Sequence, residues 1–431
     1  MTLPGEPESG VAITGVGLVT PLGVTRKVHV ERSRRGESAI GPIQRFSVEG
    51  HSAKAGAQAP EIDLTSSLRF PKSLKFMNLS VQCAMKATLE ALAQSGILLD
   101  QIEAGRIAVH TGSGQTGLEY DEFFRALSLA WENDPDLNYG ELGGRPAKLL
   151  DRLFSLRTLS NAGLALISSE IGARGTSANY VQTDTASAMA IQSSSADLLE
   201  GRCDVSVVGG YDALLISSVY LAFEKAGLLS TSDPGEAYRP FDLRRDGLAL
   251  GEGAAFLVLE RNQDACQRGA TVLGEILGIG LATETGASPG LPCDPDTFRR
   301  AIDNAGVEAS EIDFIVARGI GTVEDDRHEA GALASLFGDR VPVTALKSQT
   351  GYLGAATAAV ELGMGLLCAR DGFVPPVARL TELDPQCPLD LVRAEPRPLA
   401  KHNPTGLFLS SSWGGQMAAI VARALTVRAQ P

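Results

Sequence analysis

Short apolar runs rich in β-branched residues alternate along this chain with stretches whose apolar positions recur every three to four residues. Val11-Ala12-Ile13-Thr14-Gly15-Val16-Gly17 predicts a first strand that runs into a turn at Thr20-Pro21-Leu22-Gly23. Met77, Val81, Ala84, Met85, Leu89 and Leu92 fall on one face of a helix. Ile107 to Thr111 predicts a short buried strand ending in Gly112-Ser113-Gly114. Val205 to Val208 predicts another, ending in Gly209-Gly210, and Ala254 to Glu260 a third. Apolar runs of this kind suit sheets covered on both faces, so the pattern predicts an α/β fold.

The second part of the chain repeats the first. Leu273 to Gly280 resembles the first strand, and Phe314 to Ala317 with its glycine turn echoes the strand at Ile107. Leu407 to Ser410 followed by Trp413-Gly414-Gly415 echoes the strand ending at Gly210, and Ala418 to Ala422 echoes Ala254 to Glu260. The order predicts a duplicated α/β unit, residues 1–265 and 266–431, stacked with helices between two sheets. The stretch Arg125 to Arg152 fits neither pattern and reads as a cap or an interface insertion.

Composition narrows the function. A net charge of −13 excludes the basic face that a nucleic-acid binder needs. No stretch of about 18 apolar residues is present, so no membrane span is expected. The polar start, Met1 to Gly10, lacks the pattern of a signal peptide, which predicts a cytoplasmic protein. Cys83, Cys203, Cys266, Cys293, Cys368 and Cys387 are scattered, as are five histidines; this predicts free thiols and neither metal nor cofactor. Gly112-Ser113-Gly114 lacks the G-K-[ST] of a phosphate loop.

Several motifs then carry a family resemblance over nearly the whole chain: the opening strand with Thr20-Pro21-Leu22-Gly23, Tyr238-Arg239-Pro240-Phe241-Asp242, Gly251-Glu252-Gly253-Ala254, and Lys347-Ser348 with Thr350-Gly351. With Gly319, Gly321, Thr322, Asp326 and Glu329, the chain resembles the β-ketoacyl-ACP synthase II family and its polyketide ketosynthase relatives, members of the thiolase superfamily. The resemblance implies the thiolase-like, five-layered α/β/α/β/α fold. It also implies a cysteine nucleophile at a buried helix start and two histidines that support decarboxylation.

Those chemical positions hold other residues. Counting without gaps from Gly175 or from Gly209-Gly210 puts the cysteine's place at Asp184; an alignment by eye selects Ser187 instead. Asp184 is a poor acyl acceptor, and at a helix start it also reads as an N-cap. Arg318 stands where the first histidine is expected and Tyr352 where the second is. Arginine stays protonated and tyrosine titrates near ~10, so neither replaces histidine. The pair of threonines that the family uses for pantetheine is reduced to Thr322, with Ile320 in the other place. The gating loop reads Ser411, Ser412, Trp413, Gly414, Gly415.

The resemblance implies that Asp184, Arg318 and Tyr352 converge. Their chemistry predicts a buried Asp184–Arg318 ion pair with Tyr352 alongside, and a Lys347–Glu329 pair nearby. The family also implies dimerisation through the strand at Ala178 to Thr183 and a tunnel wall at Gln115, Leu118, Tyr120 and Phe123. The expected role is a chain-length-factor-like, catalytically inactive subunit paired with a cysteine-bearing ketosynthase, an acyl carrier protein docking on the complex. Local basic spots at Arg244, Arg245, Arg299 and Arg300 are candidates for a weak contribution to that docking. The alternatives are an acyltransferase with an unorthodox site at Ser187 or Asp184, and a homodimeric scaffold.

Overall fold

The structure is a computed structural model and describes residues 10–114, 120–133, 150–283 and 295–426. Ten of its strands form two runs of five, the second extended past its last strand by the two-residue strand Asp390–Leu391. The first comprises β1 (Val11–Val19), β2 (Ile107–Ser113), β3 (Ser177–Val181), β4 (Val205–Ala213) and β5 (Leu250–Arg261). The second comprises β6 (Gly274–Thr283), β7 (Phe314–Val316), β8 (Pro342–Thr344), β9 (Thr405–Ser411) and β10 (Gln416–Ala424). Spatially they read β3-β2-β4-β5-β1 and then β6-β10-β9-β7-β8.

The two runs are mirror copies in order and direction. In each, the inner three strands pair antiparallel and the outer two continue parallel. Each run also has one register shift in an inner pair, between Ile13 and Gly15 and between Val421 and Ala422. A seam of three residue pairs, Val11 with Ile276 to Ile13 with Gly274, joins β1 to β6.

Helices complete the layers. They are α1 (Arg26–Arg34), α2 (Leu79–Ser95), α3 (Tyr120–Asn133), α4 (Ala162–Ile171), α5 (Ala186–Leu199), α6 (Ser217–Lys225), α7 (Pro295–Ala305), α8 (Val323–Phe337) and α9 (Thr357–Arg370). The outer face of the first sheet carries α2 and α4, and that of the second carries α7 with α8 beside it. Between the sheets, α5 packs on α9. Every residue of α9 from Thr357 to Ala369 is buried, as a helix enclosed on all sides requires. This is the thiolase-like, five-layered arrangement.

The repeated Gly-X-Gly explains how the outer helices sit. A Cβ on Gly15 or Gly17 would meet the carbonyl oxygens of Ala91 and Ala87 in α2 at 2.2 and 1.8 Å. A Cβ on Gly278 or Gly280 would meet backbone of Ala305 and Ala301 in α7 at 2.5 and 2.7 Å. In both halves the paired glycines let a helix lie directly on the strand. The stretch Arg125 to Arg152, unassigned from sequence, opens with the end of α3; residues 134–149 lie outside the described residues.

Candidate functional site

Four chain segments meet where α5 and α9 face each other. The first is the turn between β3 and α5, which carries Asp184. It is held from two sides: the Gln182 N–H donates to the Ser113 carbonyl, and the Thr185 N–H donates to Ser412 Oγ at 3.2 Å. The helix N-cap is Thr185, and no helix N–H donates to Asp184. The N-cap reading of Asp184 is therefore corrected: the residue stands one position before the N-cap, and its carboxyl accepts from no helix amide.

The second segment is the turn after β7. Glu329, in the second turn of α8, reaches back and accepts from the N–H groups of Arg318 (2.7 Å) and Gly319 (3.0 Å). It also stands 3.5 Å from Arg318 Nε. Asp326 accepts from Gly321 N–H (2.9 Å) and Phe241 N–H (2.8 Å), and Arg245 Nε lies at 3.2 Å. Burial pushes the Asp326 carboxyl up to about 7, against the pull of those donors. Thr322 is the N-cap of α8, its Oγ1 accepting from the Asp325 N–H at 3.2 Å. Gly319 and Gly321 hold φ of 50° and 85°, which leaves the turn open to glycine alone without strain.

The third segment runs from the short helix Lys347–Thr350 into α9. Lys347 Nζ donates to the Arg318 carbonyl and to Glu361 Oε1, both at 2.9 Å. Glu361 comes from α9 and is 2% exposed. Burial pushes its carboxyl up to about 8, with Lys347 opposing and the carboxyls of Asp184 and Glu329 adding. Tyr352 is fully buried; its N–H donates to Ala249 and its hydroxyl accepts from Trp413 Nε1 at 3.2 Å.

The loop after β9 is the fourth segment. Ser411 Oγ accepts from Arg318 Nη1 at 2.6 Å, and Ser412 clamps the start of α5. Trp413 is half-buried and meets Phe223 edge-on, with ring centroids 6.4 Å apart. Gly414 is exposed, and Gly415 turns the chain with φ of 85°.

Asp184, Arg318 and Tyr352 thus come together, as expected, but their pairing differs. No ion pair joins Asp184 to Arg318, which instead answers Glu329 and Ser411. Lys347 pairs with Glu361 rather than Glu329. Asp184 is 1% exposed, and both its carboxylate oxygens lack a hydrogen-bond partner. Burial raises its pKa; Lys347, the nearby hydroxyls of Thr357 and Tyr352, and Arg318 oppose the rise. Those hydroxyls are close enough to act on the carboxyl, yet Thr357 Oγ1 also lacks a partner. Burial, reinforced by Asp184, lifts the Tyr352 hydroxyl well above its usual range.

Ser187, the alternative nucleophile, lies in the first turn of α5 and is fully buried. Its Oγ accepts the Ala359 N–H at 3.1 Å and so serves the start of α9. Of the proposed wall residues, Phe123 is exposed on α3 against Phe124. Gln115, Leu118 and the side chain of Tyr120 lie outside the described residues. Arg245 is buried between Asp326 and Asp384 and is no surface spot, whereas Arg299 and Arg300 are exposed. Among the described residues no group of three or more His, Cys, Asp or Glu is placed to hold a metal ion. Nor is any of their helices long and apolar enough to cross a membrane.

Glu361 is the site residue that sequence reading missed. The signal was present: it is the one acid between Thr357 and Ala369, in a helix otherwise apolar or small. An acid in such a helix needs a buried cation, and Lys347 lies fourteen residues upstream.

A duplicated sheet pair enclosing two central helices, with a polar centre where their starts meet, defines the thiolase-like class. Family models for the β-ketoacyl synthase N-terminal and C-terminal domains match residues 8–265 and 273–381. The chain belongs to the β-ketoacyl synthase family. It is 32% identical to the tetracenomycin polyketide synthase ketoacyl synthase beta subunit of Streptomyces glaucescens, over 96% of this chain and 98% of that protein. It is also 32% identical to nodulation protein E of Rhizobium sp. (strain N33), over 88% and 91%. Among solved structures, the ishigamide ketosynthase/chain length factor superposes with a TM-score of 0.86 at 26% identity, covering 97% of this chain and all of that one.

Proposed function

We propose that this chain is a non-condensing member of its family, a chain-length-factor-like subunit that pairs with a cysteine-bearing ketosynthase and helps shape the tunnel for a growing acyl chain. The observation that carries this reading is Asp184. The nucleophile's place holds a buried carboxyl whose oxygens lack hydrogen-bond partners. A carboxyl without an adjacent base does not take an acyl group from a thioester as a thiolate does. The base positions hold Arg318 and Tyr352, and burial lifts the Tyr352 hydroxyl further from use as a base. The relative from Streptomyces glaucescens is itself a beta subunit, which suits the reading.

The pairing surface we propose includes β3. It ends its sheet, pairs only with β2 among the described residues, and leaves Val181 37% exposed. An edge of this kind is a liability unless a partner covers it. An acyl carrier protein docks on the complex in this reading, and the protein works in the cytoplasm without a cofactor of its own. The acyltransferase alternative through Ser187 requires a hydroxyl that is already engaged by Ala359.

Purification of the tagged chain from its native host, followed by native and denatured mass measurement, tests the proposal. The expected result is one copy of this chain with one cysteine-bearing ketosynthase of similar size. A homodimer of twice 45.2 kDa with no ketosynthase overturns it. So does an acyl adduct on Ser187 or Asp184 after incubation with an acyl thioester.

A further inference from the structure

The chain leaving β9 passes from the buried site to the surface within four residues, and three of them are tied down by their side chains. Ser411 Oγ accepts from Arg318 Nη1 at 2.6 Å. Ser412 Oγ accepts the Thr185 N–H at 3.2 Å and lies 2.8 Å from Thr185 Oγ1. Trp413 Nε1 donates to the Tyr352 hydroxyl at 3.2 Å. Gly414, the next residue, is exposed. Half-buried Trp413 therefore stands between an exposed loop tip and a fully buried hydroxyl of the site.

Three rings close around that contact. Phe223 of α6 lies 6.4 Å from the Trp413 ring and 6.0 Å from the Tyr352 ring, centroid to centroid. Tyr352 is a fixed post for the other two: its N–H donates to the Ala249 carbonyl and its carbonyl accepts the Gly251 N–H, both at 2.8 Å. Ile320 and Tyr238, both buried, belong with these rings to one apolar cluster. The loop is also folded on itself, the Ser412 N–H donating to the Gln416 carbonyl at 2.8 Å and the Gly415 N–H to the Ser412 carbonyl at 3.0 Å. Segments that open easily have few buried contacts and few internal bonds; this one has both.

We propose that this loop is a latched strap, with the Trp413–Tyr352 contact as its bolt, and that it keeps an extended thioester arm out of this chain's own buried site. The inference rests on the reading that condensation takes place on the partner subunit, where the arm of the carrier protein is needed. An indole N–H only donates, so the bolt requires the Tyr352 oxygen as acceptor. Phenylalanine at 352 keeps the ring contact and removes the acceptor; alanine at 413 removes both.

The chain has two tryptophans, Trp131 and Trp413, so Trp131→Phe leaves Trp413 as the sole indole reporter. In that full-length variant, Trp413 fluorescence is expected to resist acrylamide and to stay unchanged on titration with millimolar S-acetyl-pantetheine. Adding Tyr352→Phe is expected to raise acrylamide quenching by about three- to tenfold, the loss of one hydrogen bond. Calorimetry of Trp413→Ala is expected to show saturable binding of S-acetyl-pantetheine, about tenfold or more tighter than any binding by the unmodified chain. Circular dichroism confirms that each variant is folded. Saturable binding by the unmodified chain with a change in Trp413 fluorescence overturns the strap. A folded Trp413→Ala that binds no better than the unmodified chain overturns Trp413 as the bolt. Native mass of the purified complex reads the pairing separately: a homodimer sinks the pairing and leaves the quenching result standing, and an open strap leaves the pairing standing.

Discussion

Two buried acidic centres sit on either side of the glycine turn at Gly319 to Thr322, and they solve the same problem differently. Around Arg245, every carboxylate is answered. Asp384 accepts from Arg245 (2.9 Å), Arg327 (2.8 Å) and the Gln386 N–H (3.0 Å), and its carboxyl lies at about 2 despite the opposing effect of burial. Asp326 shares the same guanidinium and takes two backbone donors. Around Asp184, cations are near but turned elsewhere. Lys347 spends its bonds on Glu361 and the Arg318 carbonyl, and Arg318 serves Glu329 and Ser411. The first centre is a scaffold closed on itself. The second holds a buried carboxyl whose neighbouring cations are committed to other partners. Proximity of opposite charge does not make a pair; the geometry of the donors does.

The sharpest way to break the first centre is Arg245→Met. It removes the buried guanidinium that Asp326 and Asp384 share, and a cost of about 3–5 kcal/mol is expected in denaturant unfolding. A loss under about 1 kcal/mol would show that the network is not a structural unit.

Asp184→Asn is expected to act in the opposite direction, stabilising the protein by about 1–3 kcal/mol near neutral pH by removing a stranded buried carboxyl. The folded-state pKa of Asp184 is raised, so the folded protein holds the proton more tightly than the unfolded chain. Its favourable contribution is complete below the unfolded value, about 3.9, and is lost as pH rises through the folded pKa. The advantage of Asn therefore grows from acid toward neutral pH, and melts at pH 5 and pH 8 measure it. A destabilised Asn variant would mean that the carboxylate has a partner in solution.

The smallest effect belongs to Ser187→Ala. It removes the acceptor for the Ala359 N–H at a place water does not reach, at a cost of about 1 kcal/mol by thermal melting. Acyl transfer, if any is detected for the wild type, should be unchanged by it. A loss of transfer would restore Ser187 as a nucleophile.

Much of the architecture was legible because the repeat is written in spacing. The four strand pairs matched by eye between the halves are β1 with β6, β2 with β7, β4 with β9 and β5 with β10, and these occupy mirrored places. The glycine pairs that let α2 and α7 approach their strands carried that signal. The convergence of Asp184, Arg318 and Tyr352 was likewise legible from motif position. Their pairing was not. Glu329 lies eleven residues after Arg318, on the helix that the glycine turn starts, so local geometry delivers it to Arg318 before any distant acid arrives. Asp184 reaches the same place from another segment, and its orientation depends on how Thr185 and Ser412 hold the turn. Nor does charge count reveal that Arg245, in a run of basic residues with Arg244, points inward.

The seam between β1 and β6 has a consequence for how the molecule is held as one body. Among the described residues three residue pairs carry the sheet across the midline. The weight of cohesion falls on α5 against α9 and on the apolar cluster that joins them to both sheets. The link between halves, around Gln267 to Thr271, is largely exposed and contains Gly269 with open space beside it. In mechanical terms that link is a tether and the central helices are the clamp.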